Sequence, residues 1–160
     1  MDELIAAVRR LYAERQDFVL DLVGFFEDSY KEQVEALERD GIAVFHGFQQ
    51  EPKPFYAAAD CVVLPSYHEG MSNVLLEGAA TGRPLITSRI PGCMEAVEDG
   101  RTGLLISVRD ADSLYEAMKT MLETDRERRK AMGLAGREKM EREFAKERVV
   151  ADTIRVLPIR

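Results

Sequence analysis

The chain has 160 residues, 46% of them hydrophobic and 32% charged, which suits one globular domain with a real core and is short for a two-domain enzyme. Its net charge of -7 and pI near 5.0 exclude affinity built on neutralising nucleic-acid phosphates, but not a single small anion held by backbone amides at a helix start. Two cysteines, Cys61 and Cys93, with no short spacing and no secretory leader, give no support for a disulfide framework and suggest a cytoplasmic setting.

The opening "MDELIAAVRRLYAER" is read as an amphipathic helix over Asp2–Arg15, and no apolar run approaches the length of a membrane span. Apolar, β-branched bursts then alternate with helical patterns. "FVLDLVG" from Phe18, "IAVFHGF" from Ile42, "CVVLPS" from Cys61, "PLITS" from Pro84 and "GLLISV" from Gly103 read as strands buried on both faces. Helices are predicted over Ser29–Asp40, Pro54–Ala59, Ser72–Thr81 and Ala111–Thr124. The alternation implies right-handed crossovers and an α/β fold: a Rossmann-like, open parallel sheet with helices on both faces. A doubly wound unit normally opens with a strand and a ligand-binding turn, whereas this chain opens into a helix, so a segment cut away upstream is expected. From 126 to 160 the pattern is helix only. Met132, Leu134, Met140, Phe144, Val149 and Ile154 make a thin apolar face, expected to pack as two or three helices on the same domain, whose main body is residues 1–125.

In open α/β sheets ligands bind beyond the carboxyl ends of the strands. Pro65 ends the third strand there, the loop "SYHEG" crosses the opening, and Ser72 or Asn73 caps the next helix. Gly70 frees the approach, so the amides of Met71, Ser72, Asn73 and Val74 form a candidate phosphate cradle aided by the helix dipole. Glu77 lies about one turn further in, at about 1.5 Å of rise per residue, where a carboxylate can accept both hydroxyls of a ribose. Glu69 stands on the other side of the cap and can address a group attached beyond the diphosphate. Two carboxylates bracketing a helix start thus match ribose, diphosphate and hexose. As an isolated pair they read equally well as one dipole-favouring residue and one surface helix former. The small residues Gly78 and Ala79, and Gly82 with Pro84 as a helix stop, favour the site.

The stretch "ADCVVLPSYHEGMSNVLLEGAATGRPLITSRIPGCMEAVEDGRTGLLISVRDADSLYEAM", and more weakly "LVGFFED" and "VFHGFQQ", resembles the C-terminal, donor-binding domain of the retaining GT-B glycosyltransferases of group 1, or family 4. The resemblance implies the C-terminal half of a GT-B fold. It makes Glu69 the catalytic-site glutamate that contacts the donor sugar. Gly70, Met71 and Ser72 then meet sugar and phosphate, Asn73 and Val74 supply amides to the diphosphate, Glu77 binds the ribose, and Gly47 and Phe48 lie by the base. It implies retention at the anomeric carbon and no bound metal or other cofactor. The partners it implies are a nucleoside diphosphate sugar, most simply UDP-linked hexose or N-acetylhexosamine, and a saccharide or lipid-linked acceptor. The N-terminal acceptor domain of the same protein and the Arg and Lys that clamp the diphosphate are expected upstream, so the chain alone is expected to be inactive. The full enzyme is expected in the cytoplasm or peripherally at the inner face of its membrane. A nucleotide-sugar epimerase, a glycogen-type transferase or a non-catalytic sugar-nucleotide module on the same fold are the alternatives.

In "VGFFED", where the relatives often carry a second glycine after the first, Phe25 or Phe26 is expected to crowd the loop. His46 and His68 lack a partner at metal-ligand spacing; His68 either orients Glu69 or is an ordinary loop histidine. Cys61 reads as a small core hydrophobe. Arg89, Cys93 and Glu95 surround the turn at Pro91 and Gly92, which is read equally as structural or as approaching the donor phosphates. No GxGxxG, Walker lysine or GxSxG pattern is present.

Overall fold

The computed structural model describes residues 1–156; the last residues of the expected C-terminal helical stretch, 157–160, lie outside the described residues. Five strands form, β1 (Leu20–Val23), β2 (Ala43–Gly47), β3 (Val62–Leu64), β4 (Leu85–Ser88) and β5 (Gly103–Ile106). Seven helices surround them: α1 (Asp2–Glu14), α2 (Lys31–Arg39), α3 (Lys53–Ala58), α4 (Asn73–Ala80), α5 (Ala111–Glu123), α6 (Arg126–Glu143) and α7 (Lys146–Val156). Every strand pairing is parallel, as the α/β alternation requires.

Alternation along the strands separates two cores. Val63, Ile86, Leu104 and Ile106 turn toward the side built by α1, α2 and α5, centred on Val8, Leu11, Leu37 and Leu114. Their neighbours Val62, Leu64, Leu85 and Leu105 turn toward α4 and α6, meeting Leu75, Ala79 and Met140. Helices therefore cover both faces of β3–β4–β5. Asp110 caps α5 by accepting from the Ser113 amide at 2.9 Å, and Asp125 caps α6 by accepting from Arg128 at 2.9 Å. The stop expected after α4 is a Schellman turn: the Gly82 amide donates to Ala79 and the Arg83 amide to Gly78, with Gly82 at φ 77°.

Two expectations need correction. The strands form two hydrogen-bonded sheets, β1–β2 and β3–β4–β5, rather than one continuous ladder. Only β4 is buried along its whole length; β1 alternates half-buried and exposed residues. The reason is local: β1 and β3 each have one unpaired edge, and the second face of β1–β2 is covered by the short α3, where the His46 ring meets Phe55 at 4.8 Å. In the C-terminal helices, α6 packs on α4 and buries Met132 and Met140. By contrast Leu134 of α6 and Val149, Val150 and Ile154 of α7 are exposed, so of the expected apolar face only Met132, Met140 and Phe144 pack on the domain.

Candidate functional site

Ser72 occupies the N-cap of α4 with extended backbone angles, and its carbonyl accepts from the Leu76 amide at 3.1 Å. Its side chain makes no capping hydrogen bond although it is buried. The first amides of α4, at Asn73 and Val74, thus have no side-chain acceptor from their own cap, which leaves donors and the positive end of the helix dipole facing outward. Met71, Asn73, Val74 and Glu77 are exposed around this mouth.

Glu69 sits half-buried in the preceding loop, where Ser66 Oγ donates to its Oε1 at 2.7 Å. Ser66, and not His68, fixes this carboxylate. The turn at Pro91–Gly92 packs directly beneath it: a Cβ on Gly92 would stand 2.6 Å from the Glu69 carbonyl oxygen and 1.7 Å from that of Gly70. The turn is therefore part of the site's support. Arg89 is committed elsewhere, donating from Nη2 to Asp99 Oδ2 at 2.5 Å. Burial pushes the thiol of Cys93 up, with the Glu69 and Glu95 carboxylates adding to the rise.

A cavity of about 960 Å³ opens between β1 and β3, and its mouth is lined by Phe48, Asn73, Val74 and Glu77. These four predicted residues, drawn from two distant stretches, share one opening. Gly47 ends β2 at φ 66° and accepts the Gly24 amide at 2.9 Å. Gly70 lies exposed beside Glu69 in the preceding loop. Phe25 stacks on Phe48 with ring centroids 5.1 Å apart and planes 7° from parallel, and the two rings are 84% and 59% exposed. Phe26 turns back onto Phe45, and both Phe25 and Phe26 line the cavity. The stacked pair offers a planar aromatic face to the mouth.

Sequence reasoning missed Tyr56, whose hydroxyl faces Glu77 across this mouth. Burial first, and the Glu77 carboxylate second, push its pKa up to about 12. No motif marks it; only the packing of α3 beside α4 brings the two together. The cations on the cavity wall, Arg15 and Arg129, lie at the opposite ends of the strands and are paired with Asp17 and Asp60. Among the described residues no group of three or more His, Cys, Asp or Glu side chains could hold a metal ion, and no helix is long and apolar enough to cross a membrane.

The loop after β3 is tied to α1 by Tyr67, whose hydroxyl donates to Glu3 Oε1 at 2.5 Å, with the Arg109 guanidinium 5.2 Å from the ring centroid. This hydrogen bond first, with burial next, raises the Tyr67 pKa from its ordinary 10 to about 12, and the same bond holds the Glu3 carboxyl below its usual range. Stability from the raised phenol is fully present below pH 10 and lost as pH rises through 12. Stability from the lowered carboxyl is present above its unfolded value and lost as pH falls. In Tyr67→Phe the unfolding midpoint is expected to fall at pH 8 and to converge with the wild type by pH 12.5; parallel curves across that window would exclude the pairing.

The family model described as "Glycosyl transferases group 1" matches residues 1–124. Over 113 residues the chain is 31% identical to the lipopolysaccharide core biosynthesis glycosyltransferase LpsE of Rhizobium meliloti, covering 71% of this chain and 33% of that protein. Among solved structures, sucrose-phosphate synthase from Thermosynechococcus elongatus superimposes with a TM-score of 0.80 at 26% identity, over 95% of this chain and 41% of that one. Anabaena HepE in complex with UDP-glucose gives 0.80 at 23% identity, over 95% and 44%. The chain spans a third or less of the length of these first curated relatives.

Proposed function

The chain belongs to the group 1 glycosyltransferases, and from that membership we propose that it is the donor-holding half of a retaining enzyme that moves a hexose or N-acetylhexosamine from UDP to a saccharide or lipid-linked acceptor. Its fold is that of the C-terminal half of GT-B enzymes. The observation that carries the reading is the shared mouth of Phe48, Asn73, Val74 and Glu77 at an α4 start whose own cap leaves the amides free. The Asn73 and Val74 amides and the dipole of α4 meet the diphosphate. Glu77 accepts the ribose hydroxyls, displacing Tyr56, and the base lies against Phe48 beside Gly47. Glu69, held by Ser66, addresses the sugar across Gly70, Met71 and Ser72, with no metal ion required. Charge developing on the leaving diphosphate is met by oriented amides, which need no reorganisation as the bond breaks. The complex of HepE with UDP-glucose supports the donor class, and the glycosyltransferase LpsE supports the reaction class.

No cation stands among the cavity-lining residues at this mouth, so the isolated chain is expected to bind nucleotide weakly and to transfer no sugar. The clamping cations and the acceptor site belong, on this reading, to parts of the full protein outside these residues, with the assembled enzyme working in the cytoplasm or at the inner membrane face. Calorimetry with UDP, GDP and ADP tests it. UDP is expected to bind tightest, and Glu77→Ala to weaken it at least tenfold, since each hydrogen bond to a charged acceptor contributes about 1.5–3 kcal/mol. Unchanged affinity in that variant removes the ribose assignment, and sugar transfer by the chain alone removes the divided site.

A further inference from the structure

The loops that follow β1 and β2 each deliver an aromatic ring in the same way. Gly24 at φ 124° precedes Phe25 and Gly47 at φ 66° precedes Phe48, both in the left-handed region that other residues rarely adopt. The Gly24 amide donates to the Gly47 carbonyl at 2.9 Å, which fixes one loop against the other. Phe26 anchors the first loop on β2 through Phe45, with ring centroids 4.6 Å apart. Phe25 has no such anchor. Among the described residues its one aromatic partner is the exposed Phe48, over which it lies flat. That is the place and the orientation that the proposed function gives to the nucleobase.

Phe25 also stands between two cavities. The first opens at Phe48, Asn73, Val74 and Glu77, and the second, of about 350 Å³, is lined by Phe26, Val34 and Phe45 with Lys31 and Glu35. Phe25 lines both, whereas Phe48 lines only the first. A ring that leaves Phe48 therefore has a second apolar seat within reach of its own side-chain torsions, while Phe26 holds the backbone in place.

Resting on the donor reading above, we propose that Phe25 is the chain's own stand-in for the nucleobase: it stacks on Phe48 in the free protein and turns away toward Phe26 and Val34 when a base takes its place. Phe25 thereby lowers the affinity of the site for a nucleotide and leaves its affinity for a base-free diphosphate alone. A stacked aromatic pair favours the closed arrangement by about two- to tenfold, and a site open for only a fraction of the time binds weaker by that fraction.

The test titrates the 160-residue chain and its Phe25→Ala variant with UDP and with inorganic pyrophosphate, followed by NMR shifts. The removed ring is exposed, and circular dichroism checks that the variant keeps the fold. UDP is expected to bind Phe25→Ala about two- to tenfold tighter than the wild type, and pyrophosphate to bind both equally. Phe48→Ala is expected to weaken UDP, and Phe25→Ala added to it to bring no gain, because the two rings act as a pair. In the wild type, saturating UDP is expected to bring the Phe25 ring protons into nuclear Overhauser contact with the Val34 methyls. The proposal is overturned if Phe25→Ala leaves UDP affinity unchanged or lowers it, which would make Phe25 a bystander or part of the base's own platform. It is also overturned if pyrophosphate gains as much as UDP, or if Phe25 stays on Phe48 at saturation. Glu77→Ala reads the donor assignment separately. A gain in Phe25→Ala with no loss in Glu77→Ala keeps the stand-in and removes the ribose contact, and the opposite pattern removes the stand-in alone. UDP binding by neither the wild type nor Phe25→Ala overturns the proposal together with the donor reading.

Discussion

Gly92→Ala is expected to destabilise the chain by about 2–5 kcal/mol, from overpacking of about 1–3 kcal/mol and a left-handed backbone penalty of about 1–2 kcal/mol. The added Cβ would stand 1.7 Å from the Gly70 carbonyl oxygen, and Gly92 has φ 87°. Neither partner can yield cheaply: the Gly92 amide is fixed by Glu95 Oε2 at 2.6 Å, and the Gly70 loop carries Glu69, itself held by Ser66. Gly100→Ala is the control, because Gly100 has φ 75° but open space around its Cβ position. It isolates the backbone penalty, and urea unfolding followed by circular dichroism should place it at less than half the cost of Gly92→Ala. Equal costs would mean that the turn at Gly92 does not press on the Glu69 loop. In the surviving folded population, UDP affinity is expected to hold while any gain in affinity from an attached hexose disappears, because only the Glu69 side of the mouth is displaced.

What could be read before folding was whatever the chain states locally. The five β-branched bursts, the stop at Gly82 and the cap position of Ser72 are each decided within a few residues by backbone sterics and side-chain periodicity, and each appears where expected. Contacts between distant residues could not be read. Ser66 beneath Glu69 is three residues away, yet a hydroxyl at that spacing serves many loops equally well. Tyr56 at Glu77 and Gly92 under Gly70 depend on how α3 and the turn after β4 settle against α4. The division into two sheets was hidden for the same reason: a burst such as "LDLV" specifies a strand but not which of its edges finds a neighbour. Along α7 the apolar period is present, while Val149 and Ile154 remain exposed because periodicity defines a face and not its partner.

Gly133 and Gly136 of α6 lie one turn apart and are expected to respond to alanine with opposite signs. At Gly133 the Cβ would fall 2.0 Å from the Gly82 carbonyl oxygen and 2.7 Å from its carbon, so α6 must lift from the turn that ends α4. Overpacking against backbone of this kind costs about 1–3 kcal/mol, occasionally more, and part of the burial of Met132 and Met140 goes with it. At Gly136 the nearest atoms, on Thr102 and Ala79, are 3.7 Å and 3.8 Å away, which is ordinary contact. There the helix gains about 1 kcal/mol from replacing glycine in its interior. Thermal unfolding of the two variants should therefore bracket the wild type, with Gly133→Ala below and Gly136→Ala above; the same sign for both would show that α6 does not seat on Gly82. The consequence reaches the site because α4 is held at both ends by glycines from other elements, Gly92 beneath the loop that leads into it and Gly133 against the turn that ends it. A shift at the Gly82 end tilts the whole of α4 and re-aims the amides of Asn73 and Val74, so Gly133→Ala is expected to weaken UDP binding, although the substitution lies at the far end of α4.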